Sequence, residues 1–365
     1  MVWLEAEPVP AGARHRSLLR CGGRIVVLAG VLLAGWLLTA SGSEVAAADS
    51  DRSVTMRPLV DSTGGLSDIA LSPNGQRLYG LSSDGRRVVA INCGRDAVGS
   101  PRVVVVGESP DGPGRQIGCI DTSVVAILRD AAGAVITTHR IPPSPDTASA
   151  TDPLQRVAVD SDGGEAAADG RARLTVSPTR NWLAVTAVAQ STPTLLRAAV
   201  AGVRLGSFST RNSPELQADE QILAATADAS DDLVLITAPR PSAAAAADDD
   251  TAATLSMYAT PGGWELLQLT TGLRAIRDIC ATGSNSTLWV ITDADEHGAA
   301  PQPAGLWRLD AVIRDRQQAI QAVLVAPLEA PLALAAGSDD VLYVAVEDGN
   351  RILEIRPSLS GDRND

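Results

Sequence analysis

Acidic residues at alternate positions between 160 and 165 form the arrangement in this sequence that is most typical of a metal site. Asp160, Asp162 and Glu165 stand in the run DSDGGE, which is similar to half of a calcium-binding loop. A complete loop needs a bidentate acid at its twelfth position, and that position holds Arg171. We therefore interpret the run as a solvated turn and predict neither a metal site nor a cofactor.

Few histidines in this chain could act in catalysis or bind a metal ion. Beyond the N-terminal apolar run only His139 and His297 remain, far apart and without the HExxH spacing of a zinc site. The sequence has no GxSxG elbow for an activated serine and no glycine-rich phosphate loop of the P-loop type. We expect His139 in a third strand and His297 in a loop, both at the surface. No catalytic residue can be named from these patterns.

Short strands separated by turn residues are the elements that must position any site. In residues 65–93, the predicted strands GLSDIALS and QRLYGLSS are joined by the turn Pro-Asn-Gly, and an Asp-Gly turn leads into a third predicted strand, RRVVAINC. Alternating apolar runs between such turns are typical of strands in antiparallel sheets. The first turn of this unit lies near residue 74, and five weaker copies follow with first turns near residues 122, 179, 230, 284 and 338.

A spacing of about fifty residues is the period of β-propeller blades. Four-stranded sheets cannot bury an apolar face alone, but sheets stacked radially bury one another's faces. The sequence therefore predicts an all-β, six-bladed propeller over residues 49–358, with a disordered tail at 359–365. The last copy has only three strands, so we expect the run 53–60 to supply its outermost strand and close the ring.

Two of the copies resemble known repeat families. LSPNGQRLYGL at 71–81 is similar to the opening of YVTN-type propeller repeats, and DDVLYVAVEDGNRILEIRP at 339–357 is similar to the NHL repeat, with Asn350, Arg351 and Ile352 in its third strand. The resemblance implies blade geometry. Propellers of this shape include lactonases, other hydrolases, quinone-dependent dehydrogenases and binding scaffolds, so it assigns no role to any residue.

Residues 1–48 have the layout of an export signal or a single N-terminal membrane anchor. Arginines precede an apolar run at 25–40, and acidic residues follow it, which places the bulk of the chain outside the cytoplasm. Ala46 and Ala48 supply a cleavage site that would make Asp49 the first mature residue. The sixteen-residue run fits either cleavage or retention. We expect an extracellular or periplasmic protein, free or anchored.

The charge balance argues against nucleic-acid partners. The chain has a formal net charge of −13, from 43 acidic and 30 basic residues, and every basic residue is arginine. Nucleic acids and anionic membrane surfaces require a concentrated basic face. Contact with a membrane is therefore expected only through the N-terminal segment.

The first strand of each blade lines the central channel, where propeller ligands gather. These strands carry the four candidate ligand-binding residues Asp68, Asp121, Arg277 and Asp278. A mixed acidic and arginine lining can bind a small polar ligand. Charged channel residues that are merely hydrated are the alternative interpretation.

Three cysteines follow the N-terminal segment: Cys93, Cys119 and Cys280. Cys119 and Cys280 lie in first strands of blades on opposite sides of the channel, too far apart for a disulfide. Cys93 ends the third strand of blade one, so Cys93 with Cys119 is the candidate pair. Three buried thiols are the alternative.

Without a catalytic arrangement, the sequence favours a rigid scaffold that binds a protein or a small ligand. One alternative is a metal-dependent lactonase or esterase using Asp68, Asp121 and Asp278 in the channel. A second is an anchored structural component of an envelope complex. Whether the chain is an enzyme stays open.

Overall fold

The structure is a computed structural model of the chain. By its internal contacts the chain divides into two units, residues 1–51 and 52–365, and every residue described here belongs to the second. The structure describes residues 54–60, 63–93, 102–105, 112–130, 134–142, 152–159, 173–189, 192–210, 214, 216, 219–239, 252–260, 263–282, 286–296, 301–337 and 341–357.

Several sequence predictions lie outside the described residues. They are the export signal or anchor at 1–48, the acidic run at 160–165, His297 and the tail at 359–365. These remain predictions. In the described part of the chain, no helix is long and apolar enough to cross a membrane.

In the described residues, twenty-four strands form six antiparallel sheets of four strands each. Blade one contains β2 (Leu66–Leu71), β3 (Arg77–Ser82), β4 (Arg87–Asn92) and β5 (Arg102–Val105). Blade two contains β6 (Gly114–Asp121), β7 (Val124–Asp130), β8 (Ala134–Arg140) and β9 (Gln155–Ala158). Blade three contains β10 (Arg173–Val176), β11 (Trp182–Ala189), β12 (Thr192–Ala201) and β13 (Arg204–Leu205). Blade four contains β14 (Glu220–Ala227), β15 (Leu233–Pro239), β16 (Thr254–Tyr258) and β17 (Glu265–Thr270). Blade five contains β18 (Ile276–Thr282), β19 (Thr287–Thr292), β20 (Gly305–Arg314) and β21 (Gln317–Pro327).

Blade six joins the two ends of the ring. It contains β22 (Ala333–Ala336), β23 (Leu342–Val346) and β24 (Arg351–Pro357), and its outermost strand is β1 (Val54–Val60). β1 runs antiparallel to β24, with Val54 opposite Pro357 and Arg57 opposite Glu354. The predicted six-bladed propeller with N-terminal closure is therefore confirmed.

The apolar core lies between the blades. Six clusters of buried side chains occupy the six blade interfaces of the described chain, and each cluster takes residues from two neighbouring blades. Tyr79 and Val125 meet between blades one and two, whereas Leu66 and Tyr343 meet between blades one and six. Successive side chains of a strand point to opposite faces, so every blade contributes apolar side chains to the interfaces on both of its sides.

The Asp-Gly turns connect one blade to the next through their glycines. Gly85 and Gly349 both have positive φ, at 67° and 77°. The carbonyl oxygen of Gly85 accepts a hydrogen bond of 3.1 Å from the N–H of Gly114, and that of Gly349 accepts one of 3.0 Å from the N–H of Leu66. Each of these carbonyl oxygens accepts from the first residue of the next blade's inner strand. The turns therefore need glycine both because φ is positive and because the backbone of the next blade lies so close.

Alanine at Gly85 or Gly349 is expected to destabilise the fold strongly. An added Cβ would lie 2.3 Å from the Gly114 nitrogen or 2.1 Å from the Leu66 oxygen, and the backbone conformation also disfavours L-residues. Chemical denaturation should show a free energy of unfolding lower by about 3 kcal/mol, because backbone strain and steric overlap both destabilise the folded state. Gly202→Ala and Gly272→Ala are the controls, because they share the positive φ but face open space; they should cost about 1 kcal/mol. Equal losses at all four sites would contradict this account.

Candidate functional site: a charged group on the inner strands

One register position recurs on the inner strands of all six blades. Asp68 is paired with Leu81, Arg173 with Thr186 and Asp278 with Ile291, each opposite the same place in its second strand. The full set, from blade one to blade six, is Asp68, Gln116, Arg173, Ala224, Asp278 and Ala333. The neighbouring inner strands contact one another around the ring. Charged side chains therefore stand at one level of blades one, three and five.

Asp68 and Asp278 each tie two blades together. One carboxylate oxygen of Asp68 accepts from the N–H of Ile69 at 2.9 Å, and the other accepts from Ile117 of blade two at 2.8 Å. Asp278 repeats this arrangement with Ile279 at 2.9 Å and with Leu334 of blade six at 2.8 Å. Both carboxylates are thus held rigidly by main-chain donors. Each keeps further lone pairs for other donors.

Arg173 reaches from blade three to blade five. Its Nη2 donates to the main-chain oxygen of Arg277 at 2.8 Å, and its charge acts on both Asp68 and Asp278. Its Nε is buried and has no hydrogen-bond partner among the described residues. Asp68, Arg173 and Asp278 thus place an acid, a guanidinium and an acid on alternate blades. We call these three residues the inner-strand group.

Burial, and after it the charge of Asp278, raise the pKa of Asp68 to about 7, although the N–H groups of Ile117 and Ile69 and the charge of Arg173 lower it. Burial also raises the pKa of Asp278, and the nearby Arg173 guanidinium opposes that rise. Near neutral pH the Asp68 carboxyl therefore exists in both protonation states. It can donate a hydrogen bond as well as accept one.

The structure brings together only part of the predicted channel set. Asp68 and Asp278 belong to the charged group. Arg277 contributes its carbonyl oxygen, but its guanidinium pairs with Asp293 in its own blade. Asp121 lies at the other end of β6, where its Oδ1 accepts from the N–H of Ser123 at 3.2 Å. Asp121 is five positions further along β6 than Gln116, which stands at the level of the group. Five steps along a strand span roughly 16 Å, so Asp121 binds within its own turn.

Arg173 is the residue that sequence reasoning missed. It precedes Ser177-Pro178 by four residues, as Asp68 precedes Ser72-Pro73. Aligning the Ser-Pro turns of the repeats would have found it.

The three cysteines of the described residues, Cys93, Cys119 and Cys280, are free and buried. Cys93 lies in the cluster between blades six and one, and Cys119 lies in the cluster between blades one and two. The candidate Cys93–Cys119 disulfide is therefore not formed in this structure, because the alternation along blade one turns Cys93 toward Tyr343 of blade six. Burial raises the pKa of the Cys93 thiol to about 11 and that of Cys119 to about 12, so both thiols stay protonated at neutral pH.

His139 is buried, which corrects the expected surface position. Its side chain is 1% exposed, and it pairs in register with Val125, whose side chain packs between blades one and two. The His139 Nε2 lies 3.1 Å from the Thr137 hydroxyl. Among the described residues, no three acidic, histidine or cysteine side chains are grouped to hold a metal ion.

These features define the chain as a six-bladed β-propeller. No protein-family model matches the sequence, and no curated protein matches it closely enough to be counted as a relative.

Solved structures with a similar fold are numerous. The calcium structure of a family AA12 carbohydrate-active enzyme of Trichoderma reesei matches with a TM-score of 0.54 and 10% identity, over 87% of this chain and 100% of that one. The holo PQQ domain of pyranose dehydrogenase from Coprinopsis cinerea matches with a TM-score of 0.52 and 10% identity, over 87% of this chain and 99% of that one. At such identity these likenesses concern the fold alone.

Proposed function

We propose that this chain is an exported propeller that binds a small, hydroxyl-rich ligand at Asp68, Arg173 and Asp278, and that it acts as a binding protein. One observation carries the proposal: charged residues of three alternate blades stand at one register position of the inner strands, and the charges of Arg173 and Asp278 both act on Asp68. Residues that only held neighbouring strands together would not need a guanidinium reaching from blade three to blade five.

The side chains of Asp68, Arg173 and Asp278 can bind the hydroxyl groups of a ligand. Carboxylate lone pairs accept from ligand O–H groups, and an arginine or a protonated Asp68 donates to ligand oxygens. Two acids with raised pKa values and one arginine leave little net charge near neutral pH. A neutral polyol therefore fits better than a strongly charged ligand.

Sugar or polyol binding is tested by calorimetric titration with glucose and myo-inositol. We expect at least one of them to bind, and Arg173→Lys and Asp278→Asn to weaken binding about tenfold or more, because each removes an oriented partner of the ligand. Arg351→Gln is the matched control, since Arg351 pairs with Glu347 at the start of β24, and it should bind like the unaltered protein. The proposal is overturned if neither glucose nor myo-inositol binds.

Two enzymatic alternatives are tested by separate experiments on the same protein. A metal-dependent hydrolase would show a bound divalent ion and a thermal shift on chelation. An oxidoreductase, the class suggested by the PQQ domain among the structural neighbours, would reduce an electron acceptor when PQQ and a sugar are supplied. Either result would replace the binding function.

The repeat type and the cellular location belong to the same proposal. We propose YVTN-like and NHL-like blades at 71–81 and 339–357, and export directed by residues 1–48. A mature protein that begins at Asp49 would support a free exported form, whereas a retained N-terminus would support an anchored envelope component. N-terminal sequencing of the protein from its native host distinguishes them.

A further inference from the structure

A cleft on blade six lies where the two ends of the ring meet. It has a volume of about 330 Å³, and Thr55, Arg57, Glu354 and Arg356 line it. The first two residues belong to β1 and the last two to β24, with Thr55 opposite Arg356 and Arg57 opposite Glu354. The cleft therefore exists only when the ring is closed.

A single buried carboxylate orients both arginines of the cleft. Glu354 is 1% exposed, and its Oε2 accepts from Arg57 Nη2 at 2.7 Å while its Oε1 accepts from Arg356 Nε at 2.8 Å. The Arg57 and Arg356 side chains are 48% and 41% exposed. A guanidinium has five N–H donors, so both arginines keep donors for a ligand in the cleft.

The local charge favours an anion. The Arg57 and Arg356 guanidiniums hold the pKa of Glu354 below its usual range despite its burial, so this carboxylate is ionised at neutral pH. Two positive charges and one negative charge leave the cleft with one net positive charge, on a chain whose overall charge is −13. Guanidiniums bind carboxylate and phosphate oxygens through paired N–H donors.

We propose that this cleft binds the carboxylate or phosphate group of a small ligand or of a peptide C-terminus, and that such binding stabilises ring closure. Its volume lies at the lower end of small-molecule pockets. Because the ligand contacts the first strand and the last strand together, it binds the closed ring in preference to the open one. Ligands that bind only the folded state raise its stability by mass action.

The test measures thermal shift and calorimetric binding on the full chain with sodium acetate, inorganic phosphate, and an acetylated dipeptide carrying either a free C-terminal carboxylate or a C-terminal amide. Sodium chloride at matched ionic strength removes general salt effects. We expect binding and a rise of a few degrees in Tm with at least one oxyanion. The free-acid peptide separates a chain terminus from small anions if it binds better than its amide and better than acetate.

Three variants locate the binding. Arg57→Gln and Arg356→Gln should weaken it about tenfold or more, since each removes charged donors. Arg57→Lys should keep the ion pair with Glu354 yet lose much of the affinity, because lysine lacks the planar fork. Arg351→Gln is the matched control, because Arg351 stands on the opposite face of the same strand and pairs with Glu347.

The proposal is overturned if no oxyanion binds the unaltered protein, or if Arg57→Gln and Arg356→Gln bind as tightly as Arg351→Gln. Binding in the unaltered protein is measured independently of the variants, so a poorly folded variant does not remove the test. The cleft shares no residue with the inner-strand group, and neither result decides the other.

Discussion

Removal of strand β1 is expected to lower the Tm by more than about 10 °C or to abolish folding. This strand covers the outer edge of blade six, and it pairs with β24 from Val54 to Val60. Val54 and Leu59 also pack against the cores on the two sides of blade six. In a domain of this size, about 1 kcal/mol corresponds to 2–4 °C in Tm, and a lost strand with its packing costs several kcal/mol.

The comparison uses two truncations. A chain beginning at residue 53 keeps β1, whereas a chain beginning at residue 61 loses it; Tm is followed by circular dichroism. The loss of Arg57 also leaves the buried Glu354 with one guanidinium fewer, which adds to the cost. If the two truncated chains melted at the same temperature, β1 would not be the strand that holds the ring closed.

Arg173→Gln is expected to destabilise the protein by about 2.5 kcal/mol at pH 8 and by about 1 kcal/mol at pH 5.5, since one proton changes stability by at most about 1.4 kcal/mol per pH unit. The substitution removes the charge that offsets Asp68 and Asp278, and removing one partner of a buried ionic group has a cost of this order. Urea denaturation at the two pH values measures the difference.

The pH dependence follows from the direction of the pKa shifts. The pKa of Asp68 is about 7 in the folded protein and about 4 in an unfolded chain, so the folded state holds more protons between these values. Stability contributed by this group is therefore greatest at low pH and is lost as the pH rises through about 7. Without Arg173 the pKa rises further, which enlarges the loss at pH 8.

Arg308→Gln serves as the control for this variant. Arg308 pairs at 2.6 Å with Asp310 in its own strand, and that aspartate side chain is 33% exposed. A partly solvated pair of this kind contributes about 1 kcal/mol or less, so the variant should show a small loss at both pH values. A loss in Arg173→Gln that is equal at pH 5.5 and pH 8 would contradict the electrostatic account of the inner-strand group.

The candidate site was predictable in part. Asp68 and Asp278 could be found because each stands in a first strand at a fixed distance from the following turn. Asp121 belongs to the same kind of strand but stands at its other end, so the structure does not bring it together with Asp68 and Asp278. Arg173 was missed although its distance from Ser177-Pro178 matches that of Asp68 from its own turn. The number of residues between a first-strand residue and the following turn was therefore the feature that predicts membership of the site.

The amino-acid sequence by itself determined the strands, their turns, the number of blades and the closure by β1. These features depend on local alternation, on turn residues such as Asp84-Gly85 and on a period, all of which can be read along the chain. Only the tertiary structure decided that Cys93 faces blade six, that His139 is buried, and that Arg173 reaches blade five. Such contacts join residues as far apart as 173 and 277, and they depend on which face of each blade meets its neighbour after the ring has closed.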